Sequence, residues 1–339
     1  MKKRGKGIAC MIYPIGFTSY PNPGAAFIKV NLDGTAVVFT GATDVGQGST
    51  TALAQIAAEE LGIPYNAVTM VTSDTERTPY DLGSVASRVT YIVGNAVKQA
   101  GAEAKRVLLE VASEKLEVRT EDLEVGDGLI YVRGFPEHNI SIAEAAAEAT
   151  TVKGRPPMGA GSYNPVTTFL DPQTGQGKPY EEYVYATQIA EIEVDTETGE
   201  VEILRIAAAH DCGKAINPML LEGQLEGGIA MGLGYGLLEE MVLEGGEVRN
   251  QQFTDYLLPT ALDVPEIELA IVEKPAPKGP FGAKGIAEAS PLPTAPAIIN
   301  AIYDAVGVRI RELPATPEKI LAALQAKQEA QELEGRETQ

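Results

Sequence analysis

The sequence predicts a mixed α/β fold with two subdomains, and three observations support this fold class. The length of 339 residues exceeds what a single core usually takes. A block of strand, turn, strand, loop and helix occurs twice along the chain. A stretch at 154–179, rich in Gly, Pro, Thr and Asn, has the composition of a long connection between the blocks. We therefore expect α/β subdomains at 1–165 and 166–325, followed by a polar C-terminal tail at 326–339.

The first block contains a hairpin and a helix. Apolar residues alternate through 26–40 on both sides of an Asp-Gly turn at 33–34, which is typical of two paired strands. The apolar run at 50–61 predicts a helix, and Gly62 stands where glycine commonly ends one.

The second block follows the same order. Alternation predicts strands at 186–194 and 200–209, separated by a turn. A loop at 210–218 and a helix from 220 to 238 come next. The repeated order indicates two units of one plan rather than a short-period repeat.

Composition excludes several classes of function. A formal net charge of −20 argues against a nucleic-acid surface, which needs clustered Lys and Arg. Cys10 and Cys212 are too few for a disulfide framework or an iron–sulfur site made by this chain alone. His138 and His210 lack metal-ligand spacing, and we expect His210 in a loop or the core.

The chain shows no sign of a membrane or secretory segment. No run approaches the roughly 20 apolar residues of a membrane span. The basic start is not followed by the apolar region of a secretory leader. We therefore expect a cytoplasmic protein without a membrane or nucleic-acid partner.

One candidate ligand site is the loop formed by Gly46, Gln47 and Gly48. It lies between a predicted strand and a predicted helix, where backbone N–H groups and a side-chain amide can hold an anionic or heteroaromatic ligand. Short turns of this kind are also common without any ligand. The sequence has neither a Walker A motif nor a full dinucleotide fingerprint.

A second candidate is the segment that precedes the helix expected after residue 90. Ser84, Ser87 and Thr90 bring hydroxyl groups to this helix start, where they either cap the helix or bind a ligand. Arg88 either joins that site or pairs with a carboxylate on the surface.

The third candidate is the glycine-rich loop at 279–293. Lys284 and Gly285 lie in the part suited to an anion, and Glu288 follows them. Thr294 is expected to cap the helix that comes next. Since the chain has no nucleophile motif, Glu288 as a base would act on chemistry brought by a cofactor. A solvated loop carboxylate is the alternative.

Taken together in this order, the motifs resemble the molybdenum hydroxylases, the family of xanthine dehydrogenase and aldehyde oxidase. The similarity is to the C-terminal half of their molybdopterin-binding subunit and extends nearly end to end. In length and opening the chain is similar to the medium molybdopterin subunit of bacterial nicotinate dehydrogenase, a split arrangement. The segments that carry the resemblance are 44–48, 83–88, 211–218, 223–227, 282–288 and 313–318.

The resemblance implies a molybdenum–molybdopterin cofactor, in its simple or cytosine dinucleotide form, whose metal is held by the pterin and not by protein side chains. It implies that Glu288 is the catalytic base, although Ala287 replaces the glycine common before it. Tyr13 and Phe17 become candidates for stacking on a substrate ring, with ordinary buried aromatics as the alternative. The implied cofactor-binding residues are Gly46, Gln47, Gly48, Ser84, Ser87, Arg88, Thr90, Gln224, Lys284 and Gly285.

The resemblance also implies a reaction and partners. The expected enzyme is a molybdenum-dependent oxidoreductase that hydroxylates an electron-poor carbon of a nicotinate-like or purine-like N-heteroaromatic compound, with oxygen from water. Electrons would pass to 2Fe–2S and FAD centres on partner subunits, and a second molybdopterin subunit would supply the N-terminal half. An aldehyde oxidoreductase of this family, a non-catalytic assembly protein and an unrelated α/β anion-binding protein remain alternatives.

Overall fold

The computed structural model describes residues 1–337, which form two four-stranded sheets, a three-stranded sheet, a two-stranded sheet and the helices packed on them. The strands are β1 (Lys2–Pro14), β2 (Gly24–Val30), β3 (Ala36–Thr40), β4 (Val68–Thr72), β5 (Leu123–Gly126), β6 (Leu129–Val132), β7 (Phe135–Ser141), β8 (Met158–Tyr163), β9 (Tyr183–Asp195), β10 (Val201–Asp211), β11 (Leu243–Glu244), β12 (Glu247–Val248) and β13 (Glu266–Val272). The α-helices are α1 (Ser49–Leu61), α2 (Gly94–Leu116), α3 (Ile142–Ala147), α4 (Pro218–Leu237), α5 (Thr294–Val306) and α6 (Pro317–Glu337).

The first sheet has the strand order β4-β3-β2-β8. Strands β2 and β3 form the predicted hairpin, and helix α1 crosses over to β4, which is parallel to β3. Helix α1 ends at Gly62, which has a φ of 70° in the left-handed region that glycine adopts freely. The hairpin and helix predicted for the first block are confirmed.

The second sheet has the strand order β1-β9-β10-β13. Strands β9 and β10 are antiparallel, and α4 leads to β13, which is parallel to β10. The elements predicted for the second block are confirmed. The fourth strand is β1, which pairs with β9 from Lys2 opposite Asp195 to Pro14 opposite Tyr183. The expected subdomain 1–165 thus gives its first strand to the other sheet.

The connection predicted at 154–179 contains strand β8. Gly159 and Gly161, whose small size suggested a loop, lie in this strand against the backbone of α2. A Cβ at either position would be 2.0 Å from a carbonyl oxygen of Ala100 or Ala96. Glycine is therefore required here by close packing and not by a turn.

The predicted polar tail at 326–339 is mostly helical. Helix α6 extends through Glu337, and residues 338 and 339 lie outside the described part of the chain. Within the described residues, no helix combines the length and apolar character that crossing a membrane requires.

Two large apolar cores fill the two halves, and a third, smaller core joins them. The joining core takes Tyr91 and Ile92 from the start of the segment leading into α2, and Cys212 and Ile286 from the loops of the second half. The loops that carry the predicted motifs therefore meet where the halves are packed on each other.

Candidate functional site

A cavity of about 290 Å³ lies at this joint. Its walls are the loops that precede α1, α2, α4 and α5, together with the first turns of α4. The cavity thus gathers segments that are far apart in sequence. Of the residues predicted for the site, it is lined by Gln47, Gly48, Ser84, Ser87, Arg88, Thr90, Gln224, Lys284, Gly285 and Glu288.

Glu288 lies in a single 3-10 turn, Ala287–Ala289, and its side chain is exposed at the cavity. Its Oε2 accepts a hydrogen bond of 2.7 Å from the Tyr13 hydroxyl and a longer one of 3.4 Å from Ser87 Oγ. The Glu288 backbone N–H also donates to Ser87 Oγ, at 3.1 Å. Both halves of the molecule therefore hold this carboxylate.

The loop that meets Glu288 is strained. Ala86 and Ser87 have φ values of 53° and 50°, although neither is glycine. Such left-handed conformations cost on the order of 1–3 kcal/mol each and persist only where neighbours enforce them. Gly285 is one such neighbour, since a Cβ there would be 1.7 Å from the Ser87 carbonyl oxygen. The two loops are pressed together at the place where Glu288 emerges.

Tyr13 has a contact that sequence reasoning missed. It does not line the cavity, and its hydroxyl donates to Glu288. Burial, and then the Glu288 carboxylate, raise the pKa of the Tyr13 phenol, which therefore remains a protonated donor. Phe17, the other predicted stacking residue, is half-buried and also lies outside the cavity lining.

Arg88 borders the cavity, but its charge is used inside the protein. The side chain is fully buried, and the guanidinium donates to Asp81 and Asn22 at 2.6 Å each and to two backbone carbonyls. Asp81 is only seven residues away in sequence and neutralises the charge. The guanidinium is therefore fully paired within the protein.

Lys284 is bound in a similar way. Its Nζ lies 2.8 Å from Asp211 and 3.3 Å from Glu182, and it donates to the Tyr183 carbonyl at 2.8 Å. The side chain is 5% exposed. This ammonium group thus forms an internal ion pair that ties the Glu288 loop to β9 and β10.

The loop before α1 is organised by Asp44, which was not among the site residues expected from the sequence. The Asp44 carboxylate accepts hydrogen bonds from the backbone N–H groups of Gly46, Gly48 and Thr50. Burial opposes ionisation of this group, but the three backbone donors dominate and lower the pKa of Asp44. The N–H groups of Gly46 and Gly48 are therefore already paired, and Gly46 does not line the cavity.

Gln47 is also satisfied within its own loop. Its amide nitrogen donates to the Thr43 carbonyl at 3.0 Å and to Ser49 Oγ at 2.9 Å, and its oxygen accepts from the Val45 N–H. Because both amide N–H groups are used, Gln47 can donate to a ligand only if one of these bonds opens. Gln224, on the first turns of α4, lines the cavity from the opposite side and is half-buried.

Residues of the loop 210–218 complete the wall. Asn217 caps α4 by accepting from the Leu220 N–H, and its amide donates to Gln55 of α1, so it links the two halves. Burial raises the pKa of the Cys212 thiol to about 11, so this cavity residue is a protonated thiol at ordinary pH. His210 lies in β10 and is 1% exposed, as expected for a core residue.

The polar groups at the cavity fit a ligand that forms hydrogen bonds better than a bare metal ion. Hydroxyl groups of Ser84, Ser87 and Thr90 and the amide of Gln224 line the cavity, and the nearby Arg and Lys charges are neutralised. Among residues 1–337, no three His, Cys, Asp or Glu side chains are grouped so that they could hold a metal. The fold and the site together define a cofactor-binding protein with one free carboxylate.

Comparison with known proteins identifies the family. Residues 1–265 match the model of the molybdopterin cofactor-binding domain, and the chain belongs to this family. The putative xanthine dehydrogenase molybdenum-binding subunit of Escherichia coli K12 is 34% identical over 327 residues, which are 94% of this chain and 42% of that protein. The gamma subunit of the 6-hydroxypseudooxynicotine dehydrogenase complex of Paenarthrobacter nicotinovorans is 35% identical over 97% of this chain and 41% of its own length.

Solved structures agree with this assignment. Quinoline 2-oxidoreductase from Pseudomonas putida 86 superposes with a TM-score of 0.86 and 30% identity, over 96% of this chain and 42% of that chain. The expected family and the α/β fold class are confirmed. The chain spans less than half the length of these relatives.

Proposed function

We propose that this chain forms the part of a molybdenum hydroxylase that carries the catalytic base, and that Glu288 is this base. The observation that supports the proposal most is the setting of its carboxylate. The groups that donate to it, Tyr13 and Ser87, are neutral hydroxyls, and both bind Oε2. This arrangement leaves Oε1 to receive a proton at the cavity.

The overall reaction is the addition of oxygen from water to a substrate carbon, with loss of two electrons and two protons. When bound, the molybdenum cofactor supplies the two-electron oxidation. Glu288 takes up one proton at Oε1 and returns it to solvent. Tyr13, kept protonated, holds the carboxylate in place during this transfer.

The residues that would hold the cofactor are those with free or easily freed polar groups at the cavity. Thr90 and Gln224 offer side-chain donors, and Ser84 and Gln47 do so once their hydrogen bonds to the Thr43 carbonyl open. Ser87 and Gly285 bring backbone close to the same space. Arg88 and Lys284 act as internal supports of these loops and not as partners of the phosphate.

We further propose that the substrate is an electron-poor N-heteroaromatic compound. The names of a nicotine 6-hydroxylase large subunit, 32% identical over 88% of this chain, and of the quinoline enzyme support this substrate class. A nicotinate-like or purine-like ring is the first choice. The remaining part of a molybdenum subunit and partners with 2Fe–2S and FAD centres would complete the enzyme.

The test is Glu288→Gln in the enzyme assembled with its partner chains. Because the amide cannot accept the proton, turnover should fall by about 10²–10⁴-fold. Molybdenum content and assembly should stay at the level of the unchanged protein. Glu137→Gln, the same change at an exposed position of β7, serves as the control and should leave turnover unchanged. Near-normal turnover of E288Q would remove Glu288 from the mechanism.

A further inference from the structure

A buried polar cluster lies beneath the turn that carries Glu288. Its centre is Gln188 of β9, which is 0% exposed and lies on the sheet face occupied by the buried residues Ala186 and Ala190. Taking a primary amide out of water is unfavourable unless its donors and acceptor are paired. The alternation of apolar and polar residues in β9 predicts an apolar residue at this position. A buried amide there therefore needs a physical explanation.

Gln188 makes three hydrogen bonds, all to buried partners. Its Nε2 donates to the Ser290 carbonyl at 2.8 Å and is 3.1 Å from Nε2 of His210. Its Oε1 accepts from the Thr294 hydroxyl at 2.7 Å. Ser290, Thr294 and His210 are each at most 1% exposed. One side chain thus joins β9 and β10 to the segment between Glu288 and helix α5.

The Ser290 carbonyl fixes the orientation of the amide, because a carbonyl oxygen only accepts hydrogen bonds. Burial lowers the pKa of His210 to about 4, so the ring is neutral at ordinary pH, and its Nδ1–H tautomer leaves Nε2 to accept from Gln188. The reversed amide would place its oxygen against the Ser290 carbonyl oxygen, where no donor is present. Only one orientation pairs all three partners.

The cluster reaches Glu288 through Ser290. While Gln188 holds the Ser290 carbonyl, the Ser290 hydroxyl donates to the Ala287 carbonyl at 2.8 Å. Helix α4 closes the other side, since a Cβ on Gly228 would be 1.7 Å from Ser290 Oγ. The residues on both sides of Glu288 are therefore fixed from below.

This arrangement also accounts for Thr294. The sequence predicts that Thr294 caps α5, but Pro293 occupies the cap position and Thr294 is the first residue of the helix. Its hydroxyl is directed to Gln188 and makes no cap hydrogen bond. Thr294 therefore stabilises the buried cluster and does not cap helix α5.

We propose that Gln188, with His210 as its acceptor, is a positioning residue that sets where the Glu288 carboxylate stands in the cavity. The inference rests on the proposed function of Glu288. Gln188 touches neither the carboxylate nor the cavity, and it acts through Ser290 and Thr294. Reaction rate is sensitive to such placement, because a base displaced by about 1 Å can cost about 10²-fold.

The test uses Gln188→Met in the assembled enzyme. Methionine fills nearly the same volume but removes all three hydrogen bonds. We expect kcat to fall between about 10- and 100-fold with KM unchanged. In the E288Q background, the same Q188M change should lower kcat no further, since its effect passes through Glu288. A loss of equal factor in both backgrounds would show a merely structural role and overturn the proposal, as would unchanged kcat in Q188M.

A second measurement does not depend on turnover. Hydrogen exchange of backbone amides in residues 286–294 should be faster in Q188M than in the unchanged protein. Ile298→Val, which trims a fully buried residue one turn along α5 and removes none of the cluster's hydrogen bonds, is the matched control and should leave this exchange unchanged. Equal exchange in Q188M and I298V would contradict the proposal. If E288Q keeps normal turnover, the proposed function fails, and exchange still decides whether Gln188 fixes the turn.

Thr294→Val provides a milder variant in case Q188M does not assemble. It removes one hydrogen bond and preserves the shape of the side chain. We expect the same dependence on Glu288 with a smaller loss of kcat. A T294V enzyme with unchanged kcat and unchanged exchange at 286–294 would count against the cluster as a positioning device.

Discussion

The two four-stranded sheets are built to one plan, although only one of them carries the candidate base. Each has a hairpin, a crossover helix and a parallel outer strand, in the orders β4-β3-β2-β8 and β13-β10-β9-β1. In each, the fourth strand is a Gly-x-Gly strand pressed on a helix. Gly161 of β8 lies against the Ala96 carbonyl, and Gly7 of β1 lies against the Ala297 carbonyl.

The correspondence extends into the site. Ala96 and Ala297 are 201 positions apart, and the same separation holds between Ser87 and Glu288, which are hydrogen-bonded to each other. Equivalent loops of the two halves therefore meet at the cavity. The loop of the first half presents the Ser87 hydroxyl, and the loop of the second half presents the Glu288 carboxylate at the equivalent position.

The support beneath these two residues differs. In the first half, the position equivalent to Gln188 is occupied by Gly24, which packs on Ile92 and Val93. Val93 is in turn the residue equivalent to Thr294. The apolar contact between Gly24 and Val93 in the first half is thus matched in the second half by the hydrogen bond between Thr294 and Gln188. The buried polar cluster is confined to the half with Glu288, which is what a device for placing that carboxylate requires.

The largest expected effect tests whether the two halves share their packing. Gly7→Ala and Gly161→Ala should each destabilise the protein toward the upper end of about 1–3 kcal/mol, because the new Cβ would be 2.1 and 2.0 Å from a carbonyl oxygen. Urea denaturation measures both. Gly223→Ala, at an open position of helix α4, is the control and should stabilise by roughly 0.5–1 kcal/mol. A large difference between G7A and G161A in the loss of unfolding free energy would contradict the structural correspondence between the two halves.

The next prediction concerns the pH dependence of stability that His210 of β10 causes in the second half. Its pKa is lowered from 6.5 to about 4 in the folded protein, so the stability it contributes is present above pH 6.5 and is lost as pH falls toward 4. Between pH 7 and pH 5 this loss should be about 2 kcal/mol. His210→Met should remove that part of the pH dependence in urea titrations. An unchanged slope in H210M would assign the dependence to other groups.

The smallest effect separates the two glutamines at the cavity. Gln47→Ala removes hydrogen bonds within a half-buried loop. It should therefore lower the stability of the protein by about 1 kcal/mol and also lower cofactor retention. Gln224→Ala should lower cofactor retention with stability unchanged, because its amide is not part of such a loop network. Molybdenum analysis and thermal unfolding of the two variants measure the difference. Equal stability loss in both would contradict the distinction.

The sequence predicts the local elements well, since a hairpin and the helix after it depend on alternation and on nearby turn residues. It also predicts which loops meet at the site, by resemblance. It does not predict that β1 joins β9, because partner choice depends on packing between distant segments. Nor does it show that Asp211 neutralises Lys284 from 73 residues away. Gln188 was missed because a single polar residue in an apolar strand carries no pattern of its own.

The pairing of β1 with β9 has a consequence for synthesis of the protein. Strand β1 leaves the ribosome well before its partner, and at about 5–20 residues per second it waits for roughly ten to forty seconds. During that time its unpaired backbone and its inward-facing side chains Ala9, Met11 and Tyr13 are open to other unpaired strands. The cationic side chains of Lys2, Lys3, Arg4 and Lys6 lie in the same strand and repel a second copy of it. A strand that waits this long for its partner thus carries its own protection against aggregation.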